Sequence, residues 1–181
     1  MKSHVLLTAF GADRVGIVDD LTSLILEARC NVEESRMSVL GGEFAVILLF
    51  SGDQTEVRRL LRELPGRAGA LGLQVNLKET APPQADPAAR PYLLATTSLD
   101  TPGIVHAVTS LLRKHRVNIL DLETDTTPAP WTGAPMFHMR ARLSVPGPVA
   151  VTALREELAE LETQTNLDIR LTPISLEAAE E

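Results

Sequence analysis

The sequence is poor in cysteine, in aromatic residues and in excess positive charge. Cys30 is the only cysteine among 181 residues, so no disulfide can form within the chain, and a lone thiol is typical of a reducing compartment. Aromatic residues make up 3% of the chain, which leaves few platforms for stacking nucleic-acid bases. The formal net charge of −7 opposes direct contact with nucleic acid or an anionic membrane, because polyanions are bound through basic surfaces.

Long hydrophobic runs are also missing. A membrane helix needs about 18 apolar residues, whereas the longest apolar run here, residues 44–50, has the length of a strand. The first residues lack the apolar core and cleavage site of a signal peptide. We therefore expect a cytoplasmic protein without membrane contact. Hydrophobic residues at 44% and charged residues at 23% indicate a globular fold.

An internal repeat organises the chain. The segment DRVGIV at 13–18 recurs as DTPGIV at 100–105, an offset of 87 residues. The same offset pairs identical residues at 6 and 93, 23 and 110, 24 and 111, and 31 and 118. A single register without gaps across these pairs indicates a duplicated folding unit.

Hydrophobic spacing predicts the same order of elements in both copies. The first copy gives a strand at 5–10, a helix face from Ile17 to Ala28, and a strand at 31–39 that a Gly41-Gly42 hairpin joins to a buried strand at 44–50. A second helix, which Asp53 caps and Pro65-Gly66 ends, and a strand at 71–77 follow. The second gives strands at 92–97, 118–124, 137–145 and 167–171, with helix faces at 104–112 and 151–161. In the strand at 137–145, apolar residues alternate with polar ones such as His138 and Arg140, so one face of the strand is expected to be exposed to solvent.

The order βαββαβ, found twice, predicts an α+β protein of two ferredoxin-like units in tandem, with antiparallel sheets covered by helices on one face. We expect a first domain at 1–80, a proline-rich linker at 81–91, a second domain at 92–176 and an acidic tail at 177–181. The linker contains Pro82, Pro83, Pro87 and Pro91, which favour an extended chain.

The turn before the first helix of each copy is the main candidate binding site. Asp13 and Asp100 precede it, and glycines at 16 and 103 stand at the helix start. Free backbone N–H groups there favour a carboxylate, glycine allows close approach, and the aspartate is suited to an ammonium group, so the turn fits an amino-acid zwitterion. The alternative is structural, with the aspartate capping the helix and the glycine serving packing.

Two further features have open alternatives. Asn31 and Asn118 open the second strand of each copy, where an amide can donate and accept toward a ligand, or can simply end the helix in a left-handed conformation. The second copy has a longer segment at 124–135, with Trp131 in it, where the first has only two glycines. Such a loop is a place for recognition, or its Trp folds back onto the body.

Catalytic and metal-binding patterns are weak. His4, His106, His115 and His138 are scattered without the spacing of a metal site, and there is no phosphate-binding loop, nucleophile elbow or dinucleotide fingerprint. Cys30 corresponds to Val117 of the second copy, which favours a core or helix-end thiol over a nucleophile. The sequence therefore predicts no catalytic residue, no metal and no cofactor.

The repeated Asp-x-x-Gly-Ile-Val turn, its helix and the asparagine that follows resemble the ACT family of amino-acid-binding regulatory domains. The tandem arrangement, with residues 118–126 and the segments Ala129-Pro130 and 133–137, is similar to the glycine cleavage system transcriptional repressor family. The resemblance implies a non-catalytic regulator that responds to glycine or a similar amino acid through a protein partner such as a DNA-bound activator, without contacting DNA itself. A homo-oligomer is expected.

By the same resemblance the ligand-binding residues are Asp13, Arg14, Val15, Gly16, Ile17 and Asn31 in the first copy, and Asp100, Thr101, Pro102, Gly103, Ile104 and Asn118 in the second. The alternative to a sensor is a constitutive protein-interaction scaffold without a small-molecule ligand.

Overall fold

The chain forms two compact units, Met1–Gln84 and Ala85–Glu181. The computed structural model describes residues 2–81 and 88–174. Each unit contains a four-stranded antiparallel sheet and two helices in the order βαββαβ. The predicted α+β class and the two ferredoxin-like units are confirmed.

The first unit contains β1 (Lys2–Ala12), α1 (Ile17–Glu27), β2 (Asn31–Leu40), β3 (Glu43–Asp53), α2 (Gln54–Ala70) and β4 (Gln74–Thr80). Its sheet order is β2-β3-β1-β4. The second unit contains β5 (Arg90–Leu99), α3 (Ile104–Lys114), β6 (Asn118–Pro128), β7 (Pro135–Val145), α4 (Val151–Thr165) and β8 (Asp168–Pro173), with the order β6-β7-β5-β8. The two sheets have the same topology.

The repeat seen in the sequence is repeated in the backbone. Helices α1 and α3 have 11 residues each and begin at Ile17 and Ile104, which are 87 positions apart. Each helix is followed by an arginine in the left-handed region, Arg29 with φ 54° and Arg116 with φ 56°. Because the same local conformations recur at one offset, the two units can be compared residue by residue.

Each unit has its own apolar core on one face of its sheet. In the first unit Leu7, Phe44 and Phe50 are fully buried against α1 and α2, and in the second Leu94 and Leu143 are fully buried. Burying one such side chain contributes about 1.5–3 kcal/mol. The prediction that residues 44–50 form a buried strand needs correction, since Ile47 is 44% exposed. Only alternate residues of β3 face the helices.

Helix α2 continues through a proline. The sequence predicts that it ends at Pro65-Gly66, but it runs from Gln54 to Ala70 with Pro65 inside it. Leu64 and Ala68 are fully buried on either side, so packing holds the last turn although Pro65 donates no hydrogen bond. The predicted start of the following strand at 71 is also wrong, since Leu71 is the C-cap of α2.

Two smaller predictions are confirmed, and part of a third falls outside the described residues. Gly41 and Gly42 form the first hairpin with φ of 60° and 83°. Asp53 is the N-cap of α2 and accepts a bond of 2.9 Å from the N–H of Thr55.

The linker prolines 82, 83 and 87 and the tail 177–181 lie outside the described residues, whereas Pro91 lies in β5 opposite Ser144. The domain boundaries stay a prediction. Among the described helices none is long and apolar enough to cross a membrane.

Candidate functional site

Both predicted ligand turns have one backbone conformation. Gly16 and Gly103 are the N-caps of α1 and α3, and their φ angles of 85° and 99° lie in the left-handed region that favours glycine. Neither helix has a side-chain cap. The structural alternative in which Asp13 and Asp100 cap the helices is therefore wrong, which leaves their carboxylates available at the surface of the turn.

The two aspartates are held by their backbones. The N–H of Asp13 donates to the carbonyl of Gly42 at 3.0 Å, and the N–H of Asp100 donates to that of Pro135 at 2.9 Å. Each turn is thereby tied to the beginning of the neighbouring hairpin strand. Ile17 and Ile104, the first residues of the two helices, are buried and fix the helix ends on the core. The turn is a defined shape in both units.

The N-termini of α1 and α3 are open to a ligand. The first intrahelical bonds run from Asp20 to the Gly16 carbonyl and from Ala107 to the Gly103 carbonyl, both 2.9 Å long. Before them, the Ile17 N–H bonds to the Arg14 carbonyl at 3.4 Å, and the other N–H groups of the first turns have no intrahelical acceptor. A Cβ placed on either glycine would meet no atom within 4 Å, so space is open at each helix start. This arrangement suits a carboxylate.

The two turns differ in charge. In the first unit Arg14 pairs with Asp20 at 2.6 Å, and the first turn of α1 also contains Asp19. In the second unit Thr101 stands in the place of Arg14, and the first turn of α3 has no acidic residue. Acidic groups at a helix N-terminus compete with an anionic ligand for the same N–H groups. The helix start of the second unit therefore has fewer acidic groups beside its N–H donors than that of the first.

An open groove of about 730 Å³ lies at the end of β5, and none of residues 100–103 of the turn lines it. Leu99, which immediately precedes Asp100, lines it together with Met136. The other wall includes Thr163 and Asn166 from the end of α4. The groove has both apolar and polar walls.

Asn31 and Asn118 lie at the opposite end of their sheets from the turns. They begin β2 and β6 as predicted, and both are exposed. Asn31 is paired with Ser51 near the end of β3, whereas Asp13 is bonded to Gly42 before its beginning. Helix α1 with its 11 residues, about 16 Å, separates the two ends. One small ligand within a unit therefore cannot contact both the turn and the asparagine.

The alternative in which Asn31 and Asn118 end the helices in a left-handed conformation is wrong. The left-handed residues after α1 and α3 are the arginines at 29 and 116, two positions earlier. The Asn31 amide donates to the carbonyl of Val32 at 3.1 Å. Asn118 has no hydrogen bond from its side chain within the described part of the chain.

Sequence patterns missed a polar cluster at the Asn31 end of the first sheet. Glu33 accepts hydrogen bonds from Lys2 at 2.7 Å and from Ser51 at 2.6 Å, and His4 lies 3.5 Å from it. The bonds from Lys2 and Ser51 lower the pKa of Glu33. These residues come from three strands, so no local motif could have indicated them. The carboxylate of Glu33 is therefore already paired with neighbouring side chains.

The long segment of the second unit is a hairpin extension. Residues 124–135 are predicted to form a loop, but β6 continues to Pro128 and pairs there with Pro135. The tip is fixed by a bond from the Ala129 N–H to the Ala134 carbonyl, 2.8 Å long. Trp131 at this tip is 97% exposed. The alternative in which the Trp folds onto the body is wrong.

Cys30 lies in the core of the first unit and is 6% exposed. Burial raises the pKa of its thiol, so the nucleophilic thiolate is disfavoured. A Cβ placed on Gly52 would lie 2.6 Å from its Sγ. The position fits a packing role.

Comparison with known proteins agrees with the fold and the turns. Residues 3–78, almost the whole first unit, match the family model of the ACT domain. The second unit has the same element order, sheet topology and glycine-started helix. The first unit is therefore an ACT domain, and the second unit repeats its fold. More particularly, the chain resembles the glycine cleavage system transcriptional repressor of Escherichia coli, with 28% identity over 165 residues that cover 91% of this chain and 87% of the relative.

Two solved structures share the tandem arrangement. An unknown protein from Galdieria sulphuraria is 33% identical and superposes with a TM-score of 0.86, covering 97% of this chain and 100% of its own. A protein provisionally described as a glycine cleavage system transcriptional repressor is 24% identical, with a TM-score of 0.73 over 97% of this chain and 99% of its own. The fold of both units is therefore shared along nearly the whole chain.

Proposed function

We propose that this protein is an amino-acid-responsive regulator without a reaction of its own, which controls transcription of glycine cleavage genes through a protein partner. The duplicated turn carries the proposal. Gly16 and Gly103 begin their helices without a side-chain cap, beside an aspartate whose carboxylate is exposed. The helix N–H groups fit the ligand carboxylate and the aspartate fits its ammonium group. The named E. coli relative supports the transcriptional role.

The ligand is a small amino acid such as glycine, and the second unit is its principal site. There the first helical turn has no acidic residue, and Asp100 has no competing ion pair within the described part of the chain. The ligand controls the partner by favouring one of two arrangements of the protein. It can shift the equilibrium between them only if it binds one arrangement more tightly than the other.

The acidic surface favours a protein partner over DNA. The net charge of −7 gives no basic footprint for a duplex. A DNA-bound activator is the partner that fits a regulator of this kind, and a cytoplasmic homo-oligomer is the form that we expect. Asp13, Arg14, Val15, Gly16 and Ile17 form the matching turn of the first unit, which is weakened by its own ion pair. Asn31 lies at the other end of that sheet and does not contact the same ligand within the unit.

Calorimetry on the full chain tests the sensor. We expect glycine, serine or alanine to bind with a measurable heat, and Asp100→Asn to weaken that binding more than Asp13→Asn, which makes the same isosteric change in the other unit. If no amino acid binds at millimolar concentration, the sensor is excluded.

A constitutive interaction scaffold is the second candidate, and Trp131 favours it. A Trp that is 97% exposed on a hairpin tip is an anchor suited to a pocket on another protein. The scaffold predicts equal binding of the partner with and without amino acids. The sensor predicts a change in that binding when the amino acid is added.

A further inference from the structure

The hairpin tip of the second unit presents one large aromatic side chain on a rigid support. We call residues 129–134 the Trp tip. Its backbone is fixed by a bond from the Ala129 N–H to the Ala134 carbonyl, 2.8 Å long, and by one from the Gly133 N–H to the Ala129 carbonyl, 2.9 Å long. Trp131 is 97% exposed on this support. Because the backbone is already ordered, covering the indole costs little further conformational entropy.

The open groove at the end of β5 lies at the base of the same hairpin, since Met136 of β7 lines it. Leu99 and Leu167 add apolar walls. Glu162 adds a carboxylate, which accepts a bond from the Ile169 N–H and has further acceptor sites. A buried Trp needs apolar contact for its ring and an acceptor for its N–H. The groove offers both, and its volume of about 730 Å³ lies in the range of small-molecule pockets.

The first unit has neither feature at the matching positions. Its hairpin has only Gly41-Gly42 where the second unit has the Trp tip. Gly11 stands where the second unit has Ser98, and a Cβ placed on Gly11 would lie 2.5 Å from the carbonyl oxygen of Gly72. Direct backbone contact therefore closes this place in the first unit. In the second unit Ser98 and Asn166, which is left-handed like Gly72, line the groove. The tip and the groove thus occur together in one unit.

The Trp tip does not fill the groove of its own unit, because Trp131 is almost fully exposed. Trp131 stands three residues beyond Pro128, the last paired residue of β6, which places it about 10 Å beyond the base of the hairpin. The tip and the groove lie at the same end of the unit. A second copy related by a two-fold axis therefore brings each tip to the groove of the other copy, and both contacts form at once.

Charge favours contact through this part of the chain. Two copies with a net charge of −7 each repel one another over most of their surfaces. Residues 126–137, which include the Trp tip and Met136, contain no charged side chain. The acidic groove residues Glu162 and Asp168 then meet an uncharged segment of the other copy, so no like charges are placed directly opposite each other.

We propose that the Trp tip of one copy inserts into the groove at the end of β5 in a second copy, and that the exchange is reciprocal. The contact is small, so the dimer is weak and depends on protein concentration. The exchange specifies an interface for the homo-oligomer of the proposed function, and it does not require an amino-acid ligand.

Sedimentation of the full chain from micromolar to millimolar concentration tests the exchange, together with the fluorescence of Trp131, the only Trp of the chain. We expect a dimer to form as concentration rises. Over the same range the emission should shift to shorter wavelength and quenching by acrylamide should fall, whereas at micromolar dilution Trp131 stays open to the quencher. Trp131→Ala should weaken association about tenfold or more, because an inserted Trp is a typical interface anchor.

A groove variant and a matched control separate the groove from the rest of the surface. Thr163 is exposed on α4 and lines the groove, so Thr163→Arg places a long charged side chain there and should weaken association as Trp131→Ala does. Thr152→Arg makes the same change on the same helix, about 16 Å away, and should leave association unchanged. Equal effects of the two arginine variants would show that added charge, and not the groove, controls association.

Mixing two variants tests reciprocity directly. Trp131→Ala keeps the groove and has no Trp, whereas Thr163→Arg keeps the Trp tip and has a filled groove. In the mixture the Trp of Thr163→Arg should enter the groove of Trp131→Ala, so its emission should shift although each variant alone associates weakly. A contact between two tips predicts no such shift, and its absence would overturn the proposal.

The remaining outcomes are equally decisive. The proposal is wrong if the chain stays monomeric up to millimolar concentration, which would assign the Trp tip to a different protein. It is also wrong if a dimer forms while Trp131 stays fully open to acrylamide. Glycine binding is measured separately by calorimetry. Loss of the exchange with glycine binding intact overturns this inference alone, and a dimer that binds no amino acid overturns the sensor alone.

Discussion

In the first unit the guanidinium of Arg14 lies 2.6 Å from the carboxylate of Asp20, and this ion pair links the residue after Asp13 to the first turn of α1. The second unit has Thr101 and Ala107 at the same two positions and cannot form it. The duplicated turns thus share a backbone conformation but differ in the charges around the helix start.

Removing that ion pair should make the first turn resemble the second. We expect the double variant Arg14→Thr, Asp20→Ala to raise glycine binding by the first unit, since it removes one acidic competitor from the helix N-terminus. Stability should fall by at most about 1 kcal/mol, because both side chains are about 40% exposed and water screens the pair. Calorimetry in an Asp100→Asn background, compared with that single variant, reduces the contribution of the second unit and shows the change in the first. Unchanged or weaker binding there would show that the pair does not compete with the ligand.

Asp100 is expected to hold the ammonium group of the ligand. Asp100→Asn keeps the shape of the side chain and removes its charge, so affinity for glycine should fall about fivefold to tenfold. Asp13→Asn should have a smaller effect, because the first turn is the weaker site. The expectation is wrong if both variants bind glycine as the unchanged protein does.

The contact between Gly52 and Cys30 should limit substitution in the first core. In Gly52→Ala the new methyl group would lie 2.6 Å from Sγ of Cys30, so we expect a loss of about 1–3 kcal/mol in the free energy of unfolding. Cys30→Ala removes the sulfur, and the double variant should recover most of that loss. Urea denaturation of the four proteins completes the cycle. Additive losses would mean that the strain lies elsewhere.

Pro65 is expected to destabilise α2 without changing its course. Pro65→Ala restores a backbone donor inside the helix and should raise the free energy of unfolding by about 1–3 kcal/mol. Gly66→Ala serves as a comparison, since its methyl group would meet no atom within 4 Å and should add about 0.5–1 kcal/mol. Denaturant melts measure both. A loss of stability in Pro65→Ala would indicate that the proline shapes the helix.

Trp131 should matter for binding and not for folding. Because it is 97% exposed, Trp131→Ala should change the free energy of unfolding by no more than about 0.5 kcal/mol. The chain contains one Trp, so its fluorescence and its quenching by acrylamide report on the hairpin tip alone. Low accessibility to acrylamide in the unbound protein would contradict the exposed position.

The order of helices and strands could be predicted from the sequence because the local hydrophobic periodicity and the internal repeat indicate the same elements. The helix from Ile17, the hairpin at Gly41-Gly42 and the cap at Asp53 each depend on neighbours within a few residues. Comparing the copies at one offset then supported the order βαββαβ in both. The turns at Gly16 and Gly103 were located in the same way, since a repeated glycine at a helix start marks a special backbone conformation.

Tertiary structure decided what long-range packing controls. Pro65 lies inside a helix because buried Leu64 and Ala68 hold its last turn, although local propensity favours an end there. Asn31 lies far from Asp13 because α1 and the strand register carry the chain to the other end of the sheet. The exposure of Trp131 likewise depends on which residues the fold brings near it. Sequence determines the local elements, and packing determines which side chains remain free to bind.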